Sequence, residues 1–114
     1  MSDIRRIGPG PRMSEAVVHN GVVHLAGQIA KGATVTEQTQ GVLAEIDRIL
    51  AEAGTSKARI LTTQIWLADI ATFGEMNAVW DQWVDRENPP ARWTGEAKLA
   101  TPEYLVEIIV TAAV

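Results

Sequence analysis

Two charged residues near the C-terminus have the types and surroundings that chemistry needs. Arg92 follows Pro89-Pro90-Ala91 and begins a strand-like stretch, and Glu107 lies inside the apolar run Leu105-Val106-Glu107-Ile108-Ile109-Val110. An ionised carboxylate in apolar surroundings costs several kcal/mol unless it is paired or neutralised, a margin comparable with the stability of a small domain. A guanidinium fixed by a proline-stiffened approach is suited to gripping a carboxylate through two parallel bonds. Arg92 and Glu107 are therefore the candidate functional charges, a cation and an acid. The structural alternative is a buried salt bridge from Glu107 to Arg92 or Lys98 that only fixes strand register.

Other constellations are weaker. Pairing across Asn20-Gly21 puts Glu15, His19 and His24 on one sheet face. The two histidines are then diagonal neighbours about 7–8 Å apart, without HxH or HExxH spacing, and read better as structural or interface residues than as metal ligands. The chain has no cysteine, which removes thiolate nucleophiles, cysteine-type zinc sites and disulfides. No Ser-His-Asp order, P-loop or GxGxxG is present. No metal and no organic cofactor is expected.

The elements that must position these residues follow from local pattern. Ile4 to Ile7 reads as a short edge strand ahead of a turn-rich loop, Gly8 to Arg12. Asn20-Gly21 between β-rich runs predicts a type I′ hairpin. Thr34 and Glu37 fit a capping box; Val42, Leu43, Ile46, Ile49, Leu50 and Ala53 form one helical stripe, and Gly54 stands where a C-terminal cap belongs. Residues 59 to 67 predict a strand. A second capping box, Thr72 with Glu75, opens a helix carrying Phe73, Met76, Val79, Trp80, Trp83 and Val84, in which both tryptophans read as core; Asn88-Pro89-Pro90 ends it. Strands over about 92 to 98 and 105 to 113 complete the chain, and alternation puts Arg92, Thr94, Glu96 and Lys98 on one face.

The order β-β-β-α-β-α-β-β gives an α+β fold, a single domain over residues 1–114 with one six-stranded sheet and two helices on one face. The strands carry apolar residues at both odd and even positions, so the second face also requires cover. Other copies of the chain, closed into a small ring, would supply it. A net charge of −4 with scattered basic residues argues against nucleic acid as a partner. With no apolar stretch near ~20 residues and no signal-peptide pattern, the expectation is a soluble cytoplasmic protein without membrane association.

The residues also resemble, in order along nearly the whole chain, the RidA (YjgF-type) family of reactive-intermediate imine deaminases. "HLAGQIA" is similar to that family's strand ending in Gly-Gln, "QTQGVLAEIDRILAEAGTSKARIL" to its first helix and turn, "MNAVWDQW" to its second helix, "PPAR" to its arginine motif and "VEI" to its glutamate strand. The resemblance implies a Bacillus chorismate-mutase-like (YjgF-like) fold with a mixed sheet, built as a homotrimer with pockets between subunits. It implies that Arg92 grips a substrate carboxylate, that Glu107 stands near the attacking water, and that Gly27 and Asn77 line the pocket. Three positions depart from the best-known deaminase branch: Met13 replaces a tyrosine, Ala26 a serine, and Thr94 a cysteine two residues beyond the arginine. These are also expected pocket residues.

The resulting expectation is hydrolysis of small 2-imino or enamine acids, such as 2-aminoacrylate and its tautomer 2-iminopropanoate, to 2-oxo acids and ammonia. The alternative is a trimer of the same fold that binds a carboxylate metabolite without turnover, or a protein-interaction trimer. A chorismate-mutase-like reaction needs several cations for a dicarboxylate, and a ribonuclease needs a basic groove; neither is evident.

Overall fold

The computed structural model describes residues 3–114. Strand β1 (Arg5–Ile7), the hairpin strands β2 (Ala16–His19) and β3 (Val22–Leu25), helix α1 (Val35–Glu52), strand β4 (Ile60–Leu67), helix α2 (Phe73–Trp83), and strands β5 (Ala91–Glu96) and β6 (Val106–Ala113) follow in that order. They form one six-stranded sheet ordered β1-β2-β3-β6-β4-β5. All neighbours are antiparallel except the β4–β5 pair, which is parallel because α2 serves as its crossover. The sheet is therefore mixed, as expected.

Local chemistry explains the elements. Asn20 and Gly21 both have positive φ, 51° and 78°, as the I′ turn between β2 and β3 demands. At the start of α1 the Thr34 hydroxyl accepts from the Glu37 amide at 3.1 Å, while the Glu37 carboxylate reaches back one residue further than in a standard box, to the Ala33 amide at 2.8 Å. The helix closes on Gly54, φ 83°, with the Thr55 amide bonded to the Leu50 carbonyl and the Gly54 amide to Ala51. That is a Schellman ending. The predicted stripe of α1 is the core: Val42, Leu43, Ile46, Ile49, Leu50 and Ala53 are all buried, against the β6 residues Val106, Ile108, Val110 and Ala112.

Two local expectations are corrected. The capping box at Thr72 does not form, since Thr72 makes no side-chain cap bond. Its intended partner Glu75 instead accepts from the Thr36 amide and hydroxyl, both at 2.9 Å, and so satisfies the first turn of the other helix. Lys98 is not in β5, which ends at Glu96; Glu96 is exposed, and its carboxylate accepts from the Ile70 amide at 3.0 Å.

Both helices lie on one face. Along β6 the burial alternates without a break, with Val106, Ile108, Val110 and Ala112 turned to the helices and Glu107, Ile109, Thr111 and Ala113 turned away, half-buried. The helix-free face also carries Val17, Val22 and Trp66, and Trp93 at 50 % exposure. The domain measures 46 × 37 × 20 Å. Its thinnest dimension is that of one helix layer on one sheet, which leaves this apolar face uncovered within the single chain.

Candidate active site

Arg92 lies on the helix side of the sheet. In the parallel ladder it stands beside Thr63, a fully buried residue of the helix-facing row. Its guanidinium sits over the rings of Trp80 and Phe73, 5.2 and 5.7 Å from their centroids. These two aromatic residues and Asn77 fall at 73, 77 and 80, one stripe of α2. Trp80, only 6 % exposed, is thus core as expected and also the platform under the arginine. The sequence alone had not singled out Phe73 or Trp80 for that role; the signal was their helical phase with Asn77.

No carboxylate lies within 4.0 Å of Arg92 among the described residues, where every ion pair belongs to Arg48. Arg48 shows what a satisfied arginine looks like here. Its bonds to Glu15 at 2.8 Å, Glu45 at 2.7 Å and Glu52 at 3.1 Å push its pKa up, the Glu15 hydrogen bond contributing most. Burial pushes the Arg92 guanidinium the other way, below the ordinary arginine range, against a smaller opposing pull from Asp81. A partly desolvated cation with unspent donors attracts an anion. Around it are buried oxygens in the same condition: Asn77 Oδ1, Thr94 Oγ1 and Thr63 Oγ1 have no hydrogen-bond partner among the described residues. Thr94 shares the helix-side row of β5 with Arg92, beside Ile65.

Glu107 lies on the opposite face. It stands across from Trp66 in the β4–β6 ladder. The salt bridge to Arg92 or Lys98 weighed above is absent among the described residues. Glu107 lies directly over Gly27: a Cβ at that position would be 2.5 Å from Glu107 Oε2 and 2.8 Å from its Cδ. A side chain at position 27 would have to displace the Glu107 carboxylate from this place. The segment is fixed to β6 by reciprocal bonds between Gln28 and Ile108, 2.9 and 3.1 Å.

Met13, 57 % exposed, joins two clefts: one of about 820 Å³ lined by Met13, Gly27, Ile29, Ala30 and Arg48, and one of about 490 Å³ lined by Met13, Ala26, Arg12 and His24. The expected pocket residues thus divide into two groups. Arg92, Thr94 and Asn77 gather under α2; Glu107 lies on the other face against Gly27, and Ala26 and Met13 line the two clefts. Glu15 belongs to the Arg48 network, and among the described residues no three His, Asp or Glu side chains come close enough to hold a metal ion. Among the described residues no helix is long and apolar enough to cross a membrane.

The sequence model of the family described as Endoribonuclease L-PSP matches residues 4–114. A RutC family protein of Haemophilus influenzae is 46 % identical over 112 residues, 96 % of this chain and 97 % of its own. The chain belongs to the RidA/YjgF family. A YjgF-family structure from Neisseria meningitidis superimposes with a TM-score of 0.96 at 51 % identity, covering 97 % of this chain and 94 % of that one. A Rid-family protein from Yersinia pestis does so at 0.87 and 31 % identity, covering 93 % and 90 %. RidA/YjgF membership supports a reactive-intermediate deaminase at the level of the family.

Proposed function

We propose that this RidA/YjgF chain hydrolyses small 2-imino acids, the tautomers of enamines such as 2-aminoacrylate, to 2-oxo acids and ammonia, in a homotrimer whose clefts each join two copies. The observation that carries this reading is Arg92: half-buried, stacked on two rings and unpaired by any carboxylate among the described residues. Arg92 and Glu107 occupy opposite faces of one chain's sheet. A cleft that contains both therefore takes Arg92 of one copy and Glu107 of the next.

In that cleft the Arg92 fork binds the substrate carboxylate, with Thr94 and Asn77 beside it, and orients the C=N carbon toward water. Water oxygen adds to that carbon as one of its protons passes to Glu107, which hands it to the imine nitrogen and returns to the carboxylate. The carbinolamine hydroxyl then gives its proton to that carboxylate, Glu107 delivers it to the amino nitrogen, and the C–N bond breaks, releasing ammonia and leaving the 2-oxo acid. Ala26 and Met13 border the Glu107 side, where the best-known branch carries hydroxyls. Free imines already hydrolyse in water, so positioning and proton transfer suffice and no cofactor is invoked.

The test generates 2-iminopropanoate with a pyridoxal-phosphate dehydratase and follows its decay. Accelerated decay proportional to added protein supports the reading; an unchanged rate across a series of 2-imino acids counts against it. The thinned polar lining at Met13 and Ala26 favours the second reading, a carboxylate-binding trimer without turnover. Carboxylate-dependent thermal shifts with no acceleration would select it.

A further inference from the structure

The two segments that hold Glu107 are joined by one buried side chain to which neither the family resemblance nor the proposed chemistry gives a role. Gln38, in the first turns of α1, is 0 % exposed. Its Nε2 donates to the Gly32 carbonyl at 3.0 Å and the Glu103 carbonyl at 2.8 Å, and its Oε1 accepts from the Leu105 amide at 2.8 Å. The Leu105 carbonyl is held in turn by the Ala68 amide at 3.0 Å. Leu105 therefore enters β6 fixed on both sides, two residues before Glu107. Gly32 closes the segment that starts at Gly27, under the Glu107 carboxylate, and is tied at Gln28 to Ile108. A Cβ at Gly32 would lie 3.2 Å from Gln38 Cγ, so the chain there approaches α1 too closely for any other residue without adjustment.

We infer that Gln38 is a positioning residue for the proposed acid: its amide clamps the 27–32 segment and the 103–105 approach to each other and so fixes the Glu107 carboxylate relative to the cleft. The amide group suits this task because it offers donors to two carbonyls and an acceptor to one amide, all buried at once. Methionine has similar length and none of these bonds. Glutamate keeps the acceptor for Leu105 and, when ionised, has no proton for Gly32 or Glu103. The inference rests on the role given to Glu107 above.

The experiment compares Gln38→Met and Gln38→Glu with wild type and Glu107→Gln in the imine-decay assay, below the unfolding transition of each. Misplacement of a reacting group by about 1 Å can cost on the order of a hundredfold. The expected result is a kcat lowered at least about tenfold with KM within about twofold, since carboxylate binding resides at Arg92. The Gln38→Glu variant should recover relative to wild type as pH falls and its carboxyl gains a proton to donate. A lower thermal midpoint with unchanged kcat would make Gln38 purely structural and overturn the inference, as would failure of both variants to fold. Full activity in Glu107→Gln would overturn the role of Glu107 instead, which separates the two failures.

Discussion

Replacing Arg92 by alanine removes the group on which substrate recognition is proposed to depend. Among the described residues Arg92 has no carboxylate to leave unpaired, and its guanidinium lies over the rings of Trp80 and Phe73 at 5.2 and 5.7 Å. Such cation–π contacts contribute about 0.5–1 kcal/mol each at partly exposed sites, partly offset by relief of the desolvation that depresses its pKa. Stability should change by no more than about 1 kcal/mol, a shift of a few degrees for a domain of this size. Catalysis should change far more. Two charge-assisted hydrogen bonds to a carboxylate contribute about 1.5–3 kcal/mol each. Because the guanidinium is only half-buried in one copy, the lower end applies, about 3 kcal/mol, or roughly a hundredfold in kcat/KM. Arg92→Lys keeps the charge but loses the fork and should fall between alanine and wild type. Imine decay, coupled to trapping of the residual imine, reads kcat/KM, and a melting curve reads stability. Activity of Arg92→Ala within threefold of wild type would refute the clamp.

Two further outcomes follow from particular contacts. Gly27→Ala places a methyl 2.5 Å from Glu107 Oε2; the flexible carboxylate must move, so kcat should fall toward that of Glu107→Gln while the melting temperature changes little, and retention of full kcat would show that the carboxylate's place over Gly27 is immaterial. Glu75→Ala removes two exposed 2.9 Å hydrogen bonds at the start of α1 and should cost about 1 kcal/mol, seen as a lower denaturant midpoint at unchanged slope, with kcat preserved.

Most of the fold was legible because its determinants are local. Asn20-Gly21 carries its turn in its own backbone preferences, and α1 carries its core in one stripe between Thr34 and Gly54. The misread cap shows where locality ends: Thr72 and Glu75 have the right spacing, but Glu75 is taken by Thr36, 39 residues earlier. Lys98 left its expected strand because the chain's pairing to β4 ends with the Ala97 amide on the Leu67 carbonyl. The site was legible as residue types and not as an arrangement. Alternation tells which residues share a face within one strand. Whether Arg92 and Glu107 share a face depends on how β5 and β6 register through β4, where Arg92 pairs with Thr63 and Glu107 with Trp66. Gln38 was invisible for a related reason, since its three partners lie in segments brought together only by the folded chain.

The division of Arg92 and Glu107 between two faces can be tested by mixing two disabled proteins. Arg92→Ala and Glu107→Gln are unfolded together, refolded at equal concentration and assayed for imine decay beside each refolded alone. If each cleft takes Arg92 from one copy and Glu107 from its neighbour, random assembly restores both groups at about a quarter of the clefts, and activity should return to about that fraction of wild type. Mixed assemblies, verified by mass, that show no activity above the separate variants would contradict a cleft shared between copies.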